Sequence, residues 1–231
     1  MQVYLIRHAQ SENNILTAET MQHRKVDPDL TELGYRQRGA LAEYLANESG
    51  LGNDRFGISR LYTSPMYRSL LTAQPVSKAL DRQPMTWVDL HEKGGMFRRE
   101  NGTFKGFSGM SRSAILQEFP SYRLPEAVSE NGWYDASLGL EPETHSFYRA
   151  IKVAKDLSEW GKTDAVIALI SHAGFLDILL KAISGQLPSR PHSMSYYHNN
   201  TAITRVDYDG ARPILQYMNR VDHLPPTMRS W

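Results

Sequence analysis

The sequence predicts an α/β three-layer sandwich with a mostly parallel central sheet and helices on both of its faces. Three observations carry this. Val3–Ile6 and Ala165–Ile170 are apolar throughout, the pattern of strands buried on both faces. Longer segments between such runs place apolar residues at helical spacing. Strands and helices then alternate through most of the chain, the order that builds a parallel sheet.

Taken in order, Val3–Ile6 opens the sheet and ends in Arg7-His8 rather than in a turn residue. Thr31 precedes a helical stretch to about Asn47, with Leu33, Leu41, Tyr44 and Leu45 on its apolar side; Gly34 and Gly39 weaken it, and Gly50 and Gly52 supply a stop. Ile58–Tyr62 is a second strand. Ser64 reads as an N-cap and Pro65 as a first-turn residue of a helix to about Leu80. Met85–Val88 gives a third short strand. Lys93–Gly109 holds five glycines among aromatic and basic residues and reads as a long irregular loop, a feature that is often functional. Glu143–Trp160 is helical by period, Ala165–Ile170 is a strand, and Ala173–Ile183 is a helix ended by Gly185. Thr201–Asp207 and Ile214–Tyr217, flanking an Asp209-Gly210 turn signal, form a closing hairpin.

No repeat or long linker interrupts residues 1–231, so a single domain is expected. The 26 Lys and Arg balance 25 Asp and Glu, a net charge of +1 that gives no overall field for nucleic acid or an anionic membrane. The chain has no cysteine, which excludes disulfides, thiolate catalysis and cysteine-type zinc sites. No signal peptide and no membrane-spanning run is visible, so a cytoplasmic location is expected. No histidine spacing fits a compact metal motif, and neither a metal nor another cofactor is expected. Monomer and homodimer both stay open.

In parallel α/β sheets ligands bind beyond the C-terminal strand ends. The first strand delivers Arg7 and His8 there, and the second leads to Ser64 and to Arg68 one helical turn on. The strand ending at Ile170 delivers Ser171 and His172, and the third short strand leads to Glu92. Two guanidiniums can clamp a tetrahedral dianion. A neutral imidazole is a competent nucleophile, and a second histidine can stabilise charge in the transition state. A protonated carboxyl can supply a leaving group's proton. Arg7 and Arg68 have a plainer alternative, ion pairs with Glu32 or Asp29, and Glu100 and Glu118 compete with Glu92.

Six segments in order now carry a resemblance. Arg7-His8-Ala9-Gln10-Ser11 with Asn14, "DLTELGYRQ" at 29–37, "LYTSPMYRSLLTA" at 61–73, "DLHEKG" at 89–94, "LISHAGFLDILL" at 169–180, and the tail "NNTAITRVDYDG" with "NRVDHL" resemble the histidine phosphatase superfamily, its phosphoglycerate-mutase-like branch. The resemblance implies His8 as the nucleophile that becomes phosphohistidine. Arg7, Arg68 and His172 would hold the phosphoryl group, with Glu92 as proton donor and Ser11 and Asn14 lining the phosphate side. Amides at the helix start after His172 could add anion donors. Ala9 departs from the usual glycine, which matters only if φ is positive there. His223 can pack near the pocket; His91, His192 and His198 read as structural or surface residues.

The implied function is a metal-independent phosphatase acting on a small phosphorylated molecule. A phosphoglycerate-type mutase is the alternative, and a catalytically silent binding module on the same fold is a further one. Residues 93–140 would form the lid that sets specificity.

Overall fold

The computed structural model describes residues 1–47 and 56–231. Among these residues, eight strands and five α-helices run β1 Gln2–Arg7, α1 Glu32–Ala46, β2 Arg60–Thr63, α2 Tyr67–Leu80, β3 Pro84–Thr86, β4 Phe97–Glu100, β5 Thr103–Gly106, α3 Arg112–Glu118, α4 Glu143–Trp160, β6 Val166–Ser171, α5 Ala173–Ile183, β7 Ile203–Asp209 and β8 Arg212–Arg220. Gly50 and Gly52, expected to stop the first helix, lie outside the described residues.

The main sheet has the order β3-β2-β6-β1-β7-β8. Its first four strands are mutually parallel; β7 runs antiparallel to β1, and β8 runs antiparallel to β7. Side chains alternate across the central strands. Tyr4, Ile6, Ala168 and Ile170 pack into one core with Leu41 and Leu45 of α1 and Leu70 and Val76 of α2. Val3, Leu5, Ile167 and Leu169 pack into the other with Val153 and Leu157 of α4 and Phe175 and Leu179 of α5. Both faces are covered, which is why residues 3–6 of β1 and 166–170 of β6 are apolar at successive positions rather than at alternate ones. Among the described residues no helix is long and apolar enough to cross a membrane.

Several local expectations are corrected. The loop expected at 93–109 contains the antiparallel hairpin β4–β5, turned by Asn101 and Gly102 with φ of 48° and 83°. An Asn-Gly pair is the strongest short hairpin signal, and the density of glycines around it hid that signal. A further helix, α3, follows. The third strand stops at Thr86, because Val88–Leu90 coils into a 3-10 turn whose Leu90 carbonyl accepts Oγ–H of Ser171 at 2.7 Å. Thr201 and Ala202 precede β7: Thr201 takes φ 58° so that its amide can reach the carbonyls of Arg7 and His8. The β7–β8 connection is Gly210-Ala211, one residue beyond the expected turn.

The helix after β2 begins at Tyr67, not at Pro65, and Ser64 does not cap it. The Asp27 carboxylate does, accepting the Tyr67 amide at 3.0 and 3.1 Å. Pro75 lies inside α2 and cannot bond the Leu71 carbonyl, which instead accepts Nη1–H of Arg38 from α1 at 2.7 Å.

The two glycines of α1 differ in kind. A Cβ on Gly34 would stand 2.0 Å from the Gln10 carbonyl oxygen, whereas one on Gly39 would meet nothing within 4 Å. Gly34→Ala should therefore destabilise the fold by about 2 kcal/mol through overpacking. Gly39→Ala should stabilise it by about 0.5–1 kcal/mol through helix propensity. Urea denaturation of the two variants checks the opposite signs.

Candidate active site

The C-terminal ends of β1 and β6 are adjacent and in register, with Arg7 opposite Ser171. His8 and His172 follow directly, their rings 5.0 Å apart between centroids. Arg68, in the first turn of α2, brings its Nε–H to 3.2 Å from Nε2 of His8. Arg7, His8, Arg68 and His172 are thus brought together, and all are buried.

His8 has one defined tautomer. Its Nδ1 lies 2.6 Å from the carbonyl oxygen of Ala9, which only accepts, so Nδ1 carries the proton and Nε2 the lone pair. Burial, followed by Arg68 and Arg7, holds the His8 pKa well below the usual imidazole value. The ring is therefore neutral at pH 7. His172 is held low in the same way, by burial first and then by Arg68. Its Nε2 contacts Ser64 Oγ at 2.8 Å and Ser69 Oγ at 3.2 Å, while its buried Nδ1 has no hydrogen-bond partner among the described residues. Ser64, expected as a helix cap, is thus a partner of His172.

Backbone supports fix this patch from three sides. Thr72, one turn beyond Arg68, accepts the Ala9 amide at 3.0 Å. Gln37 of α1 accepts the Gln10 amide at 2.8 Å. Asn200 donates Nδ2–H to the His8 carbonyl at 3.1 Å. The backbone of Ala9 is not left-handed, so alanine in place of glycine introduces no strain there. Arg7 is anchored by Nη1 on the His198 carbonyl at 2.7 Å, and burial pulls its pKa down to about 10.

The ion-pair alternatives do not hold. Arg68 faces Asp27, with Nη1 at 3.7 Å from Oδ1, rather than Asp29 or Glu32. Asp29 instead bonds the Leu30 amide and the Tyr35 hydroxyl. Glu100 pairs with Arg98, and Glu118 accepts from Tyr67. Ser11 and Asn14 bond one another through Ser11 N–H and Oγ–H to Asn14 Oδ1, both at 2.9 Å. His223 bonds Thr201 Oγ1 at 2.9 Å and packs against the tilted Tyr44 ring, so it buttresses the turn behind His8. His91 and His198 are buried and structural; His192 is exposed.

Glu92 sits at the start of α5. Its Oε1 accepts the amides of Lys93 and Phe175, each at 2.8 Å, and Oε2 accepts the Gly174 amide at 3.3 Å. The helix-start amides expected to face an anion are therefore occupied by a side chain of this protein. Gly174 is required for this seat, since a Cβ there would lie 2.7 Å from Glu92 Oε1. Behind Glu92, buried Arg149 grips Glu141 through two bonds of 2.7 Å and donates to the carbonyls of Asp89 and His91.

Beyond the Arg–His patch lie two cavities that share Phe97. One, of about 520 Å³, is lined by Glu92, Lys93, Phe97, Leu140 and Gly174. The other, of about 620 Å³, is lined by Gln22, Arg24, Arg98, Arg99, Asn101 and Phe104. Arg24 stacks 4.4 Å over the Phe97 ring and donates to its carbonyl at 2.7 Å. Sequence reasoning missed Asp27, Arg24 and Arg149, because each acts across the fold and none sits in a local pattern; Thr72 lies within the 61–73 segment, but nothing in that segment says that it meets the Ala9 amide. Among the described residues, no group of three or more His, Asp or Glu side chains is arranged to hold a metal.

A family model described as histidine phosphatase superfamily (branch 1) matches residues 3–221. A probable phosphatase of Schizosaccharomyces pombe is 23% identical over 220 residues, 95% of this chain and 70% of the relative. A probable phosphoglycerate mutase of Proteus mirabilis is 26% identical over 213 residues, 91% of this chain and 86% of the relative. Among solved structures, the phosphoserine phosphatase of Entamoeba histolytica, in complex with 3-phosphoglyceric acid, superposes with a TM-score of 0.58 at 18% identity. That match covers 97% of this chain and 99% of the other.

The electrostatics give a direct prediction. Substituting Arg68→Met removes the largest charge holding His8 low, so the His8 pKa should rise toward 6.5. Imidazole NMR titration checks this; an unchanged titration would mean that burial alone sets the value.

Proposed function

Because the chain belongs to the histidine phosphatase superfamily (branch 1), we propose that it hydrolyses a small organic phosphate monoester through a phosphohistidine on His8, without a metal ion. The observation that carries this reading is the His8 environment: a buried, neutral ring whose Nε2 lone pair faces the Arg68 guanidinium. A phosphoryl group drawn to that guanidinium arrives beside the nucleophile.

In the first half-reaction Nε2 attacks phosphorus and the ester P–O bond breaks. Arg7 and Arg68 offset the charge on the equatorial oxygens, in the role that metal ions fill in other phosphoryl-transfer sites. Ser64 and Ser69 hold Nε2 of His172, which leaves its Nδ1 to meet a phosphoryl oxygen. The departing oxygen takes its proton from Glu92. Oε1 of Glu92 is held by two short amide bonds and Oε2 by one long one, so Oε2 is the oxygen suited to exchange it. In the second half-reaction Glu92 takes a proton from water, the water oxygen attacks phosphorus, and the N–P bond breaks to release phosphate.

A substrate with a second anionic group fits the lid, residues 93–140 of a single catalytic domain. Arg24 and Arg99 line the larger cavity, and the Arg99 guanidinium has no bonded partner among the described residues. The Entamoeba relative binds 3-phosphoglyceric acid, which pairs a phosphate with a carboxylate. The Proteus relative, named as a mutase, favours a second reading: return of the phosphoryl group to a bound hydroxyl acid instead of water.

Three outcomes are expected. His8→Ala should lower hydrolysis of p-nitrophenyl phosphate in chelator by at least about 10³-fold, as loss of a nucleophile does. A labelled phosphoryl group should be trapped on the wild type only. Equal turnover would sink the reading, and trapping without hydrolysis would favour the mutase. Glu92→Gln should cost about 10²-fold with alkyl phosphates and far less with p-nitrophenyl phosphate, whose leaving group needs no proton. Finally, Arg99→Gln should raise KM for 3-phosphoglycerate several-fold relative to p-nitrophenyl phosphate; an unchanged KM ratio would remove the second anion from the substrate.

A further inference from the structure

Asp27 is a buried carboxylate that the mechanism above does not use. It enters from the loop before α1 and reaches across to α2, where both oxygens accept the Tyr67 amide. The residue at the N-cap position of α2, Met66, supplies no side-chain cap. The same carboxylate stands 3.7 Å from Nη1 of Arg68, whose Nε–H points at His8. One side chain therefore fixes both the start of α2 and the guanidinium that this first turn carries.

We propose that Asp27 is the standing counter-ion of Arg68: it aims the guanidinium at His8 and gives up its own charge, by taking a proton, when a phosphoryl dianion binds there. The inference rests on the phosphoryl-site reading but makes a separate claim about protons. A buried guanidinium flanked on one side by a carboxylate and on the other by a phosphoryl dianion has one negative group too many. The dianion cannot leave its charge behind, whereas a carboxylate can accept a proton and keep its second oxygen on the Tyr67 amide.

The surroundings fit this division. Burial already raises the Asp27 pKa to about 6, with Arg68 and the Tyr67 amide opposing the rise. Arg68 is the charged group facing Asp27 from α2. Beyond Arg68 stand Arg7 at the end of β1 and His8 just after it, Arg24 from the preceding loop, Glu92 and His172. The cations among these favour ionised Asp27, and a bound dianion cancels part of their field. The Asp27 pKa then climbs further, so protons are taken up on binding.

Sulfate is the probe, because it is a tetrahedral dianion that does not itself titrate near neutrality. Its binding at pH 6.5 is followed by calorimetry in two buffers of different ionisation enthalpy, which counts protons taken up. Wild type should take up a clear fraction of a proton more per sulfate than Asp27→Asn, because Asp27 starts from about 6 and rises when the dianion binds. The protons taken up by His8 and His172 are followed separately by imidazole NMR in both proteins and subtracted, and the remaining difference is that of Asp27. Asparagine keeps an acceptor for the Tyr67 amide, and Asp27→Glu should restore uptake.

Equal proton uptake in wild type and Asp27→Asn would reduce Asp27 to a helix cap and overturn the inference, even with hydrolysis intact. The expected difference in a protein that hydrolyses no ester would uphold it while the phosphatase reading falls. Failure of sulfate to bind wild type would overturn the inference, while the phosphatase reading would still stand or fall on His8-dependent hydrolysis.

Discussion

Two guanidiniums and two imidazoles share one nearly dry patch where β1 and β6 end. Buried like charges repel, and each loses solvation. Everything around the patch answers that constraint. The imidazoles stay neutral, which removes two of four positive charges. The guanidiniums are tied to fixed acceptors, Arg7 to a backbone carbonyl and Arg68 to a histidine lone pair and a carboxylate. Such a patch is costly to hold and well suited to a dianion.

Its precision comes from backbone supports rather than from the charged groups. Residues 8–10 are held by α2 through Thr72, by α1 through Gln37, and by the turn at 200–201 from the far end of the chain. Gly34 exists so that α1 can lie against the Gln10 carbonyl. The C-terminal tail closes the network, since Gln37 also donates to the Met228 carbonyl and to Ser230. Segments scattered over more than 190 positions thus converge on one short turn.

Three carboxylates around the site have distinct tasks set by their partners. Glu92 rests on helix-start amides. Asp27 is divided between an amide and a guanidinium. Glu141 is held at about 2 against the cost of burial, by His91 and by the grip of Arg149, and stays ionised, so residues 89–91 just before Glu92 are tied to a permanent charge pair. Identical side-chain chemistry yields three behaviours because the surroundings of each differ.

The sequence by itself determined the sandwich and the charged residues at its strand ends. Buried strands must be apolar on both faces, and an Arg-His pair ending such a run is legible locally. Ala173–Ile183 and Glu143–Trp160 form the helices their periods imply. The tertiary structure alone decided which partner each charged group meets. Asp27 and Asp29 are two residues apart in the same loop, yet one faces Arg68 and the other a surface tyrosine. Ser64 looked like a cap and became a histidine partner, because Asp27 had already taken the helix start. The helix amides after His172 looked open to an anion and hold Glu92 instead. Periodicity reports which face a residue turns to the core, a local property of the chain. Pairing among polar side chains depends on which distant segments arrive at the same point, and that is decided only when the chain folds.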